Sequence, residues 1–113
     1  MISIIDYGLG NVRAFSNIFA SLNINHRIVN NVSGLNNSTK IILPGVGSFD
    51  WAMSKLITSG FKNRLDDFVL IQKIPILGIC VGMQLMSNNS EEGNLSGLGW
   101  INGTVKKIRS NKK

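Results

Sequence analysis

Cys80 is the only cysteine of the chain, and it stands between two glycines in Gly78-Ile79-Cys80-Val81-Gly82. An apolar, β-branched run ending in Ile76-Leu77 enters this stretch and reads as a buried strand. The spacing suits a nucleophile at the tip of a sharp strand-to-helix turn. Such a turn holds the nucleophile in a strained backbone conformation. Side chains two residues away on either side would collide, and glycine at both places removes the clash. The turn also sets the thiol at a helix N-terminus, where unpaired N–H groups and the macrodipole favour a thiolate. The competing reading is a buried structural cysteine in a glycine-rich βα turn.

Two other glycine turns follow apolar runs. Met1–Ile5 leads into Asp6-Tyr7-Gly8-Leu9-Gly10-Asn11, and Lys40–Leu43 leads into Pro44-Gly45-Val46-Gly47-Ser48-Phe49. The first lacks the third glycine of a dinucleotide fingerprint, because Arg13 stands in its place. The second can aim backbone N–H groups at one point, as an oxyanion hole or anion nest requires. His26 is the only histidine and reads as structural or solvated. Asp66 and Asp67 are adjacent, so they diverge around a helix and form no catalytic pair.

The elements that must position these turns alternate. Strands are expected at 1–5, 25–29, 40–43, before the Cys80 turn, and at about 102–108. One helix carries Val12, Phe15, Ile18, Phe19 and Leu22 on a face, with Asn11 as N-cap. A second runs from a Ser48 cap through Phe49, Ala52, Met53, Leu56 and Ile57 to Ser59-Gly60. A third carries Phe61, Leu65, Phe68 and Val69; Trp51 reads as packing. This alternation gives an α/β fold, an open and mostly parallel sheet with helices on both faces. Loops that follow parallel strands open on one edge of the sheet, so the three glycine turns should share a site.

With 113 residues, 43 % of them hydrophobic, the chain has room for one domain and a modest core. A lone cysteine suits a reducing, cytoplasmic setting. The start Met1-Ile2-Ser3-Ile4-Ile5-Asp6 lacks the pattern of a signal peptide, and the longest apolar run is too short for a membrane span. The net charge of +6 suggests nucleic acid until it is placed. Lys106, Lys107, Arg109, Lys112 and Lys113 carry five of the twelve basic charges, and residues 1–105 hold seven basic and six acidic groups. The basicity therefore belongs to a solvated tail and not to a nucleic-acid-binding face.

Taken in order, Asp6-Tyr7-Gly8-x-Gly10-Asn11, Leu43-Pro44-Gly45-Val46-Gly47-x-Phe49 and Gly78-Ile79-Cys80-x-Gly82-Met83-Gln84 resemble the class I, triad-type glutamine amidotransferases. Glu91-Glu92-Gly93 and Gly97-Leu98-Gly99 extend the likeness. Within that family the chain most resembles the glutaminase subunits of imidazole glycerol phosphate synthases, which serve histidine biosynthesis. The resemblance implies flavodoxin-like layering. It implies Cys80 as the nucleophile toward the glutamine side-chain amide, and the Val46 and Val81 amides as the oxyanion donors. Gly45, Gly47 and Gln84 would bind glutamine. Ammonia would pass to a synthase (cyclase) subunit in a heterodimer, with Asp6, Tyr7, Gly10 and Asn11 near that partner. No cofactor, metal, nucleic acid or membrane is implied.

The family's catalytic histidine and glutamate belong to a His-Pro-Glu segment that these 113 residues do not contain. The expectation is a truncated domain over 1–113, the nucleophile-bearing N-terminal part, inactive alone: a fragment, a shortened reading frame or one piece of a split subunit. Amidation of bacterial surface sugars and a non-catalytic, partner-binding remnant are the alternative functions.

Overall fold

The computed structural model describes residues 1–108. Four short strands form one parallel sheet in the order β2-β1-β3-β4. They are β1 (Ile2–Ile5), β2 (His26–Val29), β3 (Lys40–Leu43) and β4 (Ile76–Gly78). The register pairs Ile4 with Ile28 on one side and with Ile42 on the other, and Leu43 with Gly78. Every strand points the same way, so the segments after β1, β3 and β4 leave from one edge.

One face of the sheet carries a full layer. Ile5, Val29, Ile41 and Leu43 pack with Phe49, Ala52, Met53 and Leu56 of α2 (Phe49–Thr58) and with Phe61 and Leu65 of α3 (Phe61–Asp66). The Ser48 side chain accepts from the Trp51 amide at the start of α2, and Gly60 turns the chain into α3 at φ 84°. The helix expected through Val69 loosens after Asp66 into a π turn over Asp67–Ile71, closed by the Gln72 amide on the Asp67 carbonyl at 3.0 Å. The wider turn keeps Phe68 in the core. Trp51 does not pack there. It is exposed, with the Lys55 ammonium 5.5 Å from its ring, because its place on α2 faces away from the sheet.

The other face is half covered. Ile2, Ile4, Ile28, Ile42 and Leu77 share it by register. Among the described residues only α1 (Val12–Ser21), capped by the Asn11 side chain on the Ala14 amide, lies over it. The apolar stripe of α1 is therefore only partly seated: none of its residues is fully buried, and Ile18 is 54 % exposed. An apolar groove of about 330 Å³ runs between Phe19, Ile2, Ile42 and Leu77. β4 is the sheet's edge, and Leu77 on it is 56 % exposed.

After β4 come a single helical turn, α4 (Val81–Gln84), and a small parallel pair, β5 (Asn89–Ser90) with β6 (Thr104–Val105). The strand expected over 102–108 is thus two residues long, and part of the polar stretch 87–90 is its partner. Asp66 accepts from the Trp100 indole at 2.8 Å and ties this segment to α3. The end of the basic tail, Arg109 to Lys113, lies outside the described residues.

Candidate active site

β4 delivers the chain into the turn, and α4 carries it away. Between them Cys80 has φ 57° and ψ −127°. A residue with a Cβ rarely adopts that conformation, which costs on the order of 1–3 kcal/mol. The two flanking glycines have steric reasons. A Cβ on Gly78 would lie 2.7 Å from the Met83 Cα, and one on Gly82 would overlap the Leu43 carbonyl oxygen. The strand-to-helix turn expected from Gly-x-Cys-x-Gly is formed. Its helix is one turn long, so little macrodipole is available to the thiol. Cys80 is exposed, and no hydrogen bond reaches its Sγ among the described residues.

The three glycine turns meet. A cavity of about 140 Å³ is lined by Ile79 and Cys80, by Pro44, Gly45 and Val46, and by Gly10, Asn11 and Phe15. Gly45 is buried where a Cβ would touch the Gly82 nitrogen at 2.7 Å, so only glycine lets the turn after β3 approach the one after β4. Neither the Val46 nor the Val81 amide donates in the backbone hydrogen bonds of these turns. Gly47 (φ 85°) and Gln84 do not line the cavity. Gln84 stays close, its amide donating to the Cys80 carbonyl at 3.3 Å.

The residues expected near a partner mostly serve the turn itself. Asp6 accepts from the Gly8 amide at 3.2 Å, and Asn11 caps α1. Gly10 has φ 102° and lies against Pro44. Tyr7 is 4 % exposed, with its hydroxyl turned inward onto the Pro44 carbonyl. His26 is far from this chemistry in its bonding. Its Nε2 lies 2.7 Å from Ser16 Oγ, its Nδ1 2.9 Å from the Ile24 carbonyl, and its ring packs on Phe19.

Asp50 was not singled out by the sequence. Its carboxylate accepts from the Asn94 amide at 2.8 Å and the Leu95 amide at 2.9 Å, holding the loop that follows β5. An acidic residue in the first turn of α2 was the available signal, but its partners are more than forty residues away. Among the described residues no group of three His, Cys, Asp or Glu is placed to hold a metal. No helix among the described residues is long and apolar enough to cross a membrane.

The family model for class-I glutamine amidotransferases matches residues 3–112. The chain belongs to that family. This class-I glutamine amidotransferase chain is 56 % identical over 108 residues to the imidazole glycerol phosphate synthase subunit HisH of Leptospira borgpetersenii, covering 96 % of the chain and 53 % of the relative. It is 50 % identical over 110 residues to the HisH subunit of Bdellovibrio bacteriovorus, covering 97 % and 54 %. It is also 50 % identical over 113 residues to HisH 2 of Methanococcus maripaludis, covering 99 % and 56 %. The chain thus spans about half the length of these curated relatives. A crystal structure of a glutamine amidotransferase superposes with a TM-score of 0.77 at 17 % identity, over 93 % of this chain and 55 % of that one, and shares the α/β fold.

Proposed function

We propose that this chain is the nucleophile-bearing part of a glutaminase that supplies ammonia to a cyclase subunit in histidine biosynthesis. The observation that carries the reading is the Cys80 backbone at φ 57°, ψ −127°, on the same cavity as Val46. Cys80 Sγ attacks the side-chain amide carbon of glutamine. The carbonyl electron pair moves onto oxygen, where the Val46 and Val81 amides stabilise it; one such donor is typically worth about 10²–10³ in rate. Collapse breaks the C–N bond and releases ammonia. Water then adds to the thioester, the C–S bond breaks, and glutamate leaves with the thiol restored.

A proton must travel from the thiol to the leaving nitrogen. No side chain among the described residues hydrogen-bonds Sγ to carry it, and His26 is engaged elsewhere. The family resemblance assigns that work to a His-Pro-Glu segment absent from these 113 residues. Gly45, Gly47 and Gln84 contact the glutamine, and Asp6, Tyr7, Gly10 and Asn11 lie near the cyclase, with the pair working as a heterodimer in the cytoplasm. Relatives of 50–56 % identity named as HisH subunits support this reading.

The test is labelling with a diazo-ketone analogue of glutamine, read by mass spectrometry with and without a cyclase subunit. Modification of Cys80, suppressed by glutamine and faster with the partner, is expected. Modification elsewhere, or none at any concentration, overturns the glutamine site.

A further inference from the structure

The Tyr7 hydroxyl donates to the Pro44 carbonyl oxygen at 2.6 Å. Burial pushes its pKa up to about 12, so it keeps its proton and remains a donor near neutral pH. The acceptor belongs to the Pro44–Gly45 peptide, from which the Val46 amide hangs one peptide further on. Pro44 and Gly45 on either side of that peptide are closely packed. A Cβ on Gly45 would lie 2.8 Å from Tyr7 Oη, and a Cβ on Gly10 would lie 2.9 Å from the Pro44 Cβ. At Gly47 the turn is open, since a Cβ there would have no atom within 4 Å, and the chain is held again only where Ser48 caps α2 and Phe49 enters the core. The turn is held at its start and at the α2 cap, and it is open between them at Val46 and Gly47, where Val46 is exposed.

We propose that Tyr7 is a positioning residue for the Val46 amide, fixing through Pro44 the turn that must aim that amide at the oxygen of a substrate held on Cys80. The inference rests on the oxyanion role proposed for Val46. The hydroxyl touches no substrate. It sets the orientation of the Pro44–Gly45 peptide, and it joins the turn after β1 to the turn after β3. A misplacement of about 1 Å in such a site can cost up to 10²-fold in rate.

Tyr7→Phe keeps the ring and removes the donor. Cys80 alkylation is timed with the diazo-ketone analogue of glutamine, whose carbonyl uses the amide donors, and with iodoacetamide, which displaces iodide and needs none. The ratio of the two rates should fall at least about tenfold in Tyr7→Phe. Leu65→Ala, which loosens the core at α3, should lower the melting temperature and keep the ratio. Tyr7→Met, an apolar filler without a donor, serves in place of Tyr7→Phe if that variant does not melt cooperatively. An unchanged ratio in the Tyr7 variant overturns the inference alone, as does an equal fall in Leu65→Ala. A wild-type chain with no preference for the analogue overturns the glutamine-site reading, and the inference falls with it.

Discussion

Gly82 sits with its α-carbon against the carbonyl oxygen of Leu43, so close that a Cβ would overlap that oxygen. The same carbonyl accepts the Ile79 amide at 3.0 Å. The turn around Cys80 is thus fastened to β3 on both sides of the cysteine. Gly82→Ala must push α4 away from backbone that cannot yield. The expected loss is about 3 kcal/mol, the upper end for overpacking, seen as a lower urea midpoint. An unchanged midpoint would mean that the turn floats free of β3.

Cys80 carries backbone strain that glycine would relieve. Cys80→Gly should be more stable than Cys80→Ala by roughly 1 kcal/mol, because removing the positive-φ penalty outweighs the entropy of an added glycine. Paired denaturation curves measure the difference. The reverse order would show that Cys80 is unstrained.

Asp50 holds the Asn94 and Leu95 amides across the fold. Asp50→Ala should destabilise by about 1.5 kcal/mol, the low end for hydrogen bonds to a charged group, because the carboxylate is partly exposed. Those two amides should exchange hydrogen faster while the β1 and β3 amides hold, which site-resolved exchange would read.

Tyr7 is the only tyrosine, so tyrosinate absorbance reports it alone. Its folded pKa is raised from 10.0 to about 12 by burial. The unfolded chain therefore releases this proton first. The stability tied to the protonated hydroxyl is complete below pH 10 and is lost as pH rises toward 12. Tyr7→Phe lacks this component, so the melting difference between the two proteins should shrink over that interval. Tyrosinate appearing near pH 10 in the folded protein would contradict the burial.

The half-covered sheet face should make the chain self-associate. Leu77 on edge strand β4 and the groove beside Phe19 expose apolar surface next to unpaired backbone. Sizing at rising concentration should show larger species, and Leu77→Lys should shift them toward monomer. Glutamate release from the chain alone should be absent, since none of the described residues hydrogen-bonds the Cys80 thiol. A monomer at all concentrations with measurable release, lost in Cys80→Ala, would refute both expectations.

The order of strands and helices was legible because short β-branched runs and a 3.6-residue apolar period are local patterns. So was the Cys80 turn from its Gly-x-Cys-x-Gly spacing, although only Gly78 collides locally, with Met83, while Gly82 is required by the carbonyl of Leu43 on β3. The rest depends on distances between segments far apart in sequence. Tyr7 looked like part of an exposed glycine turn until the fold set its hydroxyl on Pro44, thirty-seven residues away. Asp50 looked like an ordinary first-turn acid until Asn94 and Leu95 came within its reach. The stripe from Val12 to Leu22 marked an apolar face, yet only the fold shows that this face is partly seated, with none of the α1 residues fully buried. Sequence alone determined which residues could do chemistry and the strands they end. Only the tertiary structure decided which turns meet at Cys80 and which side chains hold them there, because parallel pairing brings separate strand ends to one edge and leaves packing to choose their contacts.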